Sequence, residues 1–169
     1  MQNGAGGKTM KKVYVYSSPV GKLGIDVNEK GLRKIEFLKD DAVDVVDGDN
    51  ELVMEVKRQL NEYFRGERKT FDLPLALCGT PFQLKVWEAL QTIPYGETRS
   101  YKEIAIQVGS PKGCRAVGMA NNKNPIPIII PCHRVVGGNG KLVGYAGGLD
   151  KKEYLLEVEN CNISGSVAK

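Results

Sequence analysis

Histidine and tryptophan occur once each in this chain of 169 residues, and cysteine occurs four times, at positions 78, 114, 132 and 161. Each scarcity excludes something. Four scattered cysteines with no CxxC pair are too few for a disulfide-built scaffold at this length, although a single bridge between two of them stays open. One histidine and no short ligand spacing argue against a closed tetrahedral metal site, so no metal and no cofactor is expected. No apolar run approaches the roughly 20 residues that span a bilayer, and no signal-peptide pattern is present. A soluble, cytoplasmic protein with no membrane partner is the expectation. Only the opening MQNGAGGKT reads as disordered or tag-like. Cys78, Cys114 and Cys161 are expected to be small buried or half-buried side chains.

Charge is uneven along the chain. Residues 1–79 carry 13 basic and 13 acidic side chains, so the formal excess of +4 comes from residues 80–169, with 11 basic against 7 acidic. Residues 95–145 hold seven Lys or Arg against two Glu. Such a balance admits a polyanionic partner without requiring one.

The pattern divides the chain into two units, 1–78 and 79–169. In the first, VYVYSS, KLGIDVN and LRKIEFL mix alternation with β-branched and aromatic residues, and the turns PVG and EKG separate them. An antiparallel meander follows from this. After the acidic DDAVDVVDGDNE, the row Leu52, Val56, Leu60 and Phe64 predicts one helix that Gly66 ends. TFDLPL reads as a short extended piece. Nothing in this unit demands chemistry.

Helices dominate the second unit. Thr80, Pro81 and Gln83 form a cap, a first-turn proline and a capping box for a helix over 81–92 with Phe82, Val86 and Leu90 inward. Ser100 and Glu103 repeat the box, and Gly109 closes the second helix. A third starts from Ser110 as cap and Pro111, placing Cys114, Val117 and Asn121 on one side and Arg115, Met119 and Asn122 around another. The second and third helices have the layout of a helix-turn-helix. Gly113, Ala116, Gly118 and Ala120 make the third unusually thin, which suits either a packed neighbour or a DNA backbone.

Residues 125–136, PIPIIIPCHRVV, place a nucleophile, a base and a cation behind a rigid apolar run. An ordinary thiol is mostly protonated at neutral pH, so a cysteine that attacks carbon needs its proton removed or its anion favoured. His133 does this directly or through water, and a carboxylate on its other ring nitrogen fixes the useful tautomer. Glu159, four residues after Leu155 on a helix formed by LDKKEYLLEVEN, is the candidate partner; its alternative is an exposed acid near a fraying end. Asn124 either makes a local turn before Pro125 or, as a buried amide, holds the segment preceding Cys132 close to the helix-turn-helix. The glycine-rich GGNGKLV and GYAGG walls a pocket.

The combination IPCHRV at 130–135, with TPFQLKVWEALQTIPYGETRSYKEIA, SPKGCRAVGMANNKNPIPIIIPCHRVV and GYAGGLDKKEYLLEVE, resembles the O6-alkylguanine-DNA alkyltransferases, the methylated-DNA:protein-cysteine methyltransferases. The motifs cover residues 80–159 in order. The resemblance implies an α+β fold, with a small ribonuclease H-like first domain and a mainly helical second domain containing the helix-turn-helix. It implies single-turnover DNA repair, in which Cys132 accepts the alkyl group of a flipped guanine. His133 would act through a water, Glu159 would orient it, Asn124 would support the segment and Tyr101 would act on the guanine. Arg115 would enter the vacated stack, with Gly113, Cys114, Ala116 and Asn122 beside it on DNA. Pro127, Val135, Tyr145, Ala146, Gly147 and Lys152 would form the pocket. A monomer bound to double-stranded DNA from the minor-groove side follows from the same likeness.

By the same resemblance Ala146 stands where several relatives have serine, which would remove one hydrogen bond to O6. The cysteine and histidine set of zinc-bearing members is absent, and the retained Cys132 argues against the non-transferring alkyltransferase-like proteins. Two rival readings remain on the residues alone. A cysteine hydrolase leaves the basic helix pair without a use, and a noncatalytic DNA-binding protein leaves Cys132 unexplained.

Overall fold

The computed structural model describes residues 11–39, 43–45, 50–145 and 147–168. The opening MQNGAGGKT, much of the acidic stretch and Ala146 lie outside the described residues. The meander forms as expected, from β1 (Lys11–Ser18), β2 (Gly21–Asn28) and β3 (Gly31–Phe37), each antiparallel to the next. The sheet has a fourth member that the acidic composition hid. Val43–Val45 is β4, which runs parallel to β1 and gives the order β3-β2-β1-β4.

The β3 edge is covered rather than open, which removes a template for pairing with another chain. Leu32 donates to the carbonyl of Pro74 and its own carbonyl accepts from Ala76, both at 2.8 Å. TFDLPL is thus an edge cover. Gly31, at φ 150°, admits it, since a Cβ there would lie 2.5 Å from the Pro74 oxygen. Further along the same strand Ile35 donates to the carbonyl of Pro125 at 2.9 Å. That bond ties the sheet to the segment leading into Cys132.

The helix α1 (Glu51–Phe64) starts at Asn50, whose side chain accepts from Val53. Its buried row is Val53, Val56, Gln59, Leu60 and Tyr63, while Leu52 and Phe64 are only partly buried. The every-four spacing therefore pointed slightly off the true face. A strict step of four drifts around a helix of 3.6 residues per turn, whereas steps of three and four together stay on one side. Each aliphatic side chain fully buried on this row contributes roughly 1.5–3 kcal/mol.

In the second unit, α2 (Pro81–Leu90) and α3 (Tyr101–Gln107) carry the two capping boxes read from the sequence, Thr80 with Gln83 and Ser100 with Glu103. The short strand β5 (Arg99–Ser100) leads into α3 and pairs in parallel with β6 (Val135–Val136). Gly109 closes α3 at φ 82°. The helix α4 (Cys114–Asn122) begins later than the cap at Ser110 implied, with Gly113 before it and no side-chain cap. Gly113 instead donates to the carbonyl of Ser110 at 2.7 Å, closing SPKG as a β-turn. Serine first, proline second and glycine fourth suit that turn as well as they suit a helix start. Last comes α5 (Leu149–Ala168), whose inward residues are Lys152, Leu155 and Glu159.

The cysteine expectation needs correction. Cys78, Cys114 and Cys161 are exposed, Cys132 alone is buried, and all four are free thiols. A small apolar side chain gains little from burial where its helix or loop already has larger ones facing inward. Among the described residues no helix is long and apolar enough to cross a membrane, and no cluster of three metal-ligating side chains occurs.

Candidate active site around Cys132

Cys132 opens a 3₁₀ turn, Cys132–Arg134, at the floor of the second unit and is 3% exposed. Its backbone is fixed at both N–H and carbonyl. Its N–H donates to Ile130 at 2.7 Å, and its carbonyl accepts from the side chain of Asn121 on α4 at 3.3 Å. Asn124 donates to the Ile130 carbonyl at 2.8 Å and accepts from the Ile126 N–H at 3.0 Å. Both readings of Asn124 therefore hold at once, as a local turn and as a clamp. The clamp spans Ile128, which adopts φ 76° with a β-branched side chain, a conformation that costs of order 1–3 kcal/mol.

Behind the thiol lies a buried ionic group. His133 is fully buried, and its Nε2 lies 2.6 Å from Oε2 of Glu159, itself 1% exposed. The carboxylate also accepts from Arg134 twice, Nε at 2.9 Å and Nη2 at 3.0 Å, and from the Gly96 N–H at 3.3 Å. Arg134 completes its own bonding with the Ile93 carbonyl at 2.6 Å and stacks its guanidinium 5.6 Å from the Tyr95 ring. A further donor arrives from α1, where the buried Tyr63 hydroxyl gives to Oε2 at 2.6 Å. The sequence supplied no sign of this tyrosine, and it showed Arg134 only as a cation.

These surroundings set the charges. Burial pushes the Glu159 carboxyl up, but His133 and Arg134 outweigh it and hold the group at about 2. Burial pushes His133 down, with Glu159 opposing, and the net shift is downward. The imidazole is therefore neutral at pH 7. Since ionised Glu159 can only accept, Nε2 carries the proton and Nδ1 is left as the acceptor. That Nδ1 is buried and has no protein partner. Burial also raises the Cys132 thiol to about 11, against the opposing effects of Asn124 and the Lys152 charge.

Lys152 is wholly buried and donates to the carbonyls of Val135 at 2.6 Å, Val143 at 3.0 Å and Gly144 at 3.3 Å. Burial brings it down to about 8, so it is still largely charged at pH 7. Tyr101, half-buried at the start of α3, donates to the same Val143 carbonyl at 2.9 Å. One carbonyl of the loop before Tyr145 is thus gripped from two sides. Tyr145 is buried, with its hydroxyl outside ordinary hydrogen-bond geometry yet close enough to favour the Cys132 anion. Its ring meets Phe37 of β3 edge-on at 5.8 Å, and Gly147 abuts the Phe37 ring so tightly that a Cβ would lie 2.8 Å from it.

The structure brings together Cys132, His133, Glu159, Asn124, Val135, Tyr145, Lys152 and, through Val143, Tyr101. Pro127 is buried in the Asn124 turn, where it borders a cleft of about 450 Å³ against Phe37. The helix-turn-helix residues form a separate, outward face. Arg115, Cys114, Ala116 and Asn122 are exposed and Gly113 half-exposed. Trp87, the single tryptophan, braces that face from behind, its indole N–H donating to the Ala120 carbonyl at 2.9 Å.

The sequence matches two family models, "6-O-methylguanine DNA methyltransferase, ribonuclease-like domain" over residues 12–77 and "6-O-methylguanine DNA methyltransferase, DNA binding domain" over residues 81–161. It is 52% identical over 153 residues to a methylated-DNA--protein-cysteine methyltransferase of Methanosarcina barkeri, covering 88% of this chain and 97% of that one. A constitutive methylated-DNA--protein-cysteine methyltransferase of Bacillus subtilis is 49% identical, over 84% of this chain and 91% of the relative. The fold superposes on a crystal structure of Mycobacterium tuberculosis OGT in complex with DNA with a TM-score of 0.81, at 47% identity, covering 89% of this chain and 94% of that one. With both of its halves matched and relatives near 50% identity along most of its length, the chain belongs to the 6-O-methylguanine DNA methyltransferase family.

Proposed function

We propose that this protein repairs DNA by moving an alkyl group from O6 of a flipped guanine to Cys132, each molecule reacting once. One observation carries the assignment: a deeply buried thiol adjoins a buried histidine and carboxylate, on the same unit as a helix-turn-helix that presents Arg115 outward. A division of labour between residues 1–78 and 79–169 belongs to the same reading, with the acceptor and the DNA-binding face both on the second unit.

The energetics explain why each group is needed. A thiol at about 11 is anionic in roughly one molecule in ten thousand at pH 7. The proton must therefore leave as the bond to carbon forms. Neutral His133 accepts it at Nδ1 through a bridging water, and ionised Glu159 stabilises the imidazolium from the other side. The sulfur–carbon bond forms as the carbon–O6 bond breaks. The electron pair goes to guanine, and Tyr101 supplies a proton to the departing base once its bond to Val143 is released. Lys152 favours the developing anion. The thioether has no easy hydrolytic exit, which makes the reaction stoichiometric.

The O6 carbon is hidden in the duplex, so extrusion costs a few kcal/mol of unstacking before chemistry begins. Arg115 fills the vacated stack while α4, bound as a monomer from the minor-groove side, trades base readout for phosphate and shape contacts. Incubation with duplex DNA carrying labelled O6-methylguanine tests the assignment. One label per protein on Cys132 is expected. Repeated turnover of an ester or amide, or binding without transfer, overturns it.

A further inference from the structure

Of the five hydrogen-bond donors that converge on Glu159, four come from the second unit and one from the first. We infer that Tyr63 is a positioning residue for the alkyl transfer, through which the ribonuclease-like unit sets how strongly Glu159 draws on His133. The inference rests on the proposed role of His133 as base.

Geometry carries it. Tyr63 is 0% exposed at the last turn of α1, packed edge-on against Phe64 and Tyr95 at centroid distances of 5.2 and 6.1 Å and against Phe71 at 5.4 Å. With its ring held on three sides, its hydroxyl has one direction, toward Oε2. That is the oxygen His133 also uses, and both approaches are 2.6 Å. A carboxylate oxygen that receives two short bonds divides its charge between them. The Tyr63 hydroxyl therefore weakens the pull on the imidazole while fixing the carboxylate plane. Burial and Glu159 together raise the phenol well above its ordinary value, so it remains a donor over the working pH range.

The other charged or titratable groups around the pair are Arg134 on the same 3₁₀ turn, Tyr95 after α2, Lys152 on α5, and Cys132 and Tyr145 beside His133. Arg134 and Lys152 both lower His133, and Arg134 also lowers the Tyr63 phenol, with which it shares Oε2 of Glu159. Removing that hydroxyl leaves Oε2 to His133 at 2.6 Å and to the longer Arg134 Nη2 bond at 3.0 Å, so a larger share of its charge falls to the imidazole. The imidazolium is then better stabilised, and the His133 pKa rises. At pH values around that pKa, on the acid side of neutrality, more of the base is already protonated, so transfer slows; above the new pKa the rate returns to that of the parent.

The chain has one histidine, so its ring titration is read without assignment. Ring-proton NMR on Cys132→Ser and on Cys132→Ser with Tyr63→Phe measures the shift directly, in protein that cannot be consumed. An upward move of roughly half a unit is expected, a fraction of the one to three units that a whole neighbouring charge produces. In parallel, the acid limb of the transfer rate on free O6-methylguanine should move the same way in Tyr63→Phe, with the alkaline plateau kept. An unchanged His133 titration in folded Tyr63→Phe overturns the inference, as does a uniform rate loss at every pH. Tyr63→Leu, which also removes the ring, serves if phenylalanine repacks; its His133 must shift upward too. Failure of the parent to transfer at all would sink the proposed function instead, and the NMR shift would still stand or fall separately.

Discussion

The helix that bears Arg115 and the turn that bears Cys132 are neighbours in one unit, yet they are built in opposite ways. The turn is enclosed and bonded to α4, to α5 and to the Ile93 carbonyl, while α1 and Gly96 fix the Glu159 carboxylate behind it. The helix α4 has no side-chain cap, exposes Cys114, Arg115, Ala116, Met119 and Asn122, and carries a glycine at its centre. Chemistry at a buried thiol needs groups fixed to within a fraction of an ångström, so many bonds converge there. A surface that meets a deformable duplex needs a low profile and a free cation more than it needs rigidity. The two regions communicate through Asn121, which sits on the inner face of α4 and holds the Cys132 carbonyl.

Substitutions can break this contrast in order of expected effect. Cys132→Ser should abolish transfer while leaving duplex binding within a few-fold, because the hydroxyl is a far poorer nucleophile of nearly the same size. Peptide mapping of the parent should place the label on Cys132, and comparable labelling of the exposed Cys78, Cys114 or Cys161 would undo the assignment.

Glu159→Gln should slow transfer by about 10²-fold or more, equally on duplex and on free base, as expected for loss of a group supporting general base catalysis. It also strands the buried Arg134, at about 3–5 kcal/mol in stability by denaturant titration. The acid behaviour follows. The folded Glu159 pKa of about 2 lies below its ordinary 4.5, so its ionisation stabilises the fold above 4.5 and that contribution fades as pH falls toward 2. The parent should lose on the order of 3 kcal/mol over that interval that the glutamine variant does not. Parallel acid profiles would contradict the burial and pairing described above.

Arg115→Ala should reduce transfer from duplex DNA by about 10- to 100-fold, matching a few kcal/mol of extrusion, and spare free O6-methylguanine. Arg115→Lys separates charge from shape. Should lysine restore duplex activity with the parent's salt dependence, attraction alone is the role; persistent impairment supports stack filling. Equal loss on both substrates would move Arg115 into the chemical site. The smallest effect concerns Gly118. A Cβ there meets only Tyr101 carbons, at 3.8–3.9 Å, so Gly118→Ala should raise stability by about 0.5–1 kcal/mol. If α4 must be thin for DNA, duplex affinity should nevertheless fall, and unchanged affinity would remove that reason for the glycine.

Local signals made much of this fold legible. Two capping boxes, three strands and the CHR motif lie within short windows, where propensity and spacing decide the outcome. Glu159 was reachable because Leu155 on the same helix pointed its row inward. Tyr63 was not, since it lies 96 residues from Glu159 and reads as one more aromatic on an apolar face. Arg134 lacked a visible partner for the same reason. The start of α4 was ambiguous because SPKG satisfies two local structures, and only the Ser110 to Gly113 hydrogen bond chooses between them. The left-handed Ile128 is set by the clamp around it, and β4 was masked by its acidic neighbours.

Trp87 offers an optical consequence. It is the chain's single indole, 2% exposed, and its N–H is bonded to the backbone of α4 one residue before Asn121. Its emission wavelength and lifetime therefore report on the junction of α2 and α4, without a dye and without a background from other tryptophans. Occupation of the outer face by DNA and alkylation of the thiol beneath should each perturb the same chromophore. Stopped-flow fluorescence of the unmodified protein can then place docking and alkyl transfer on one time axis.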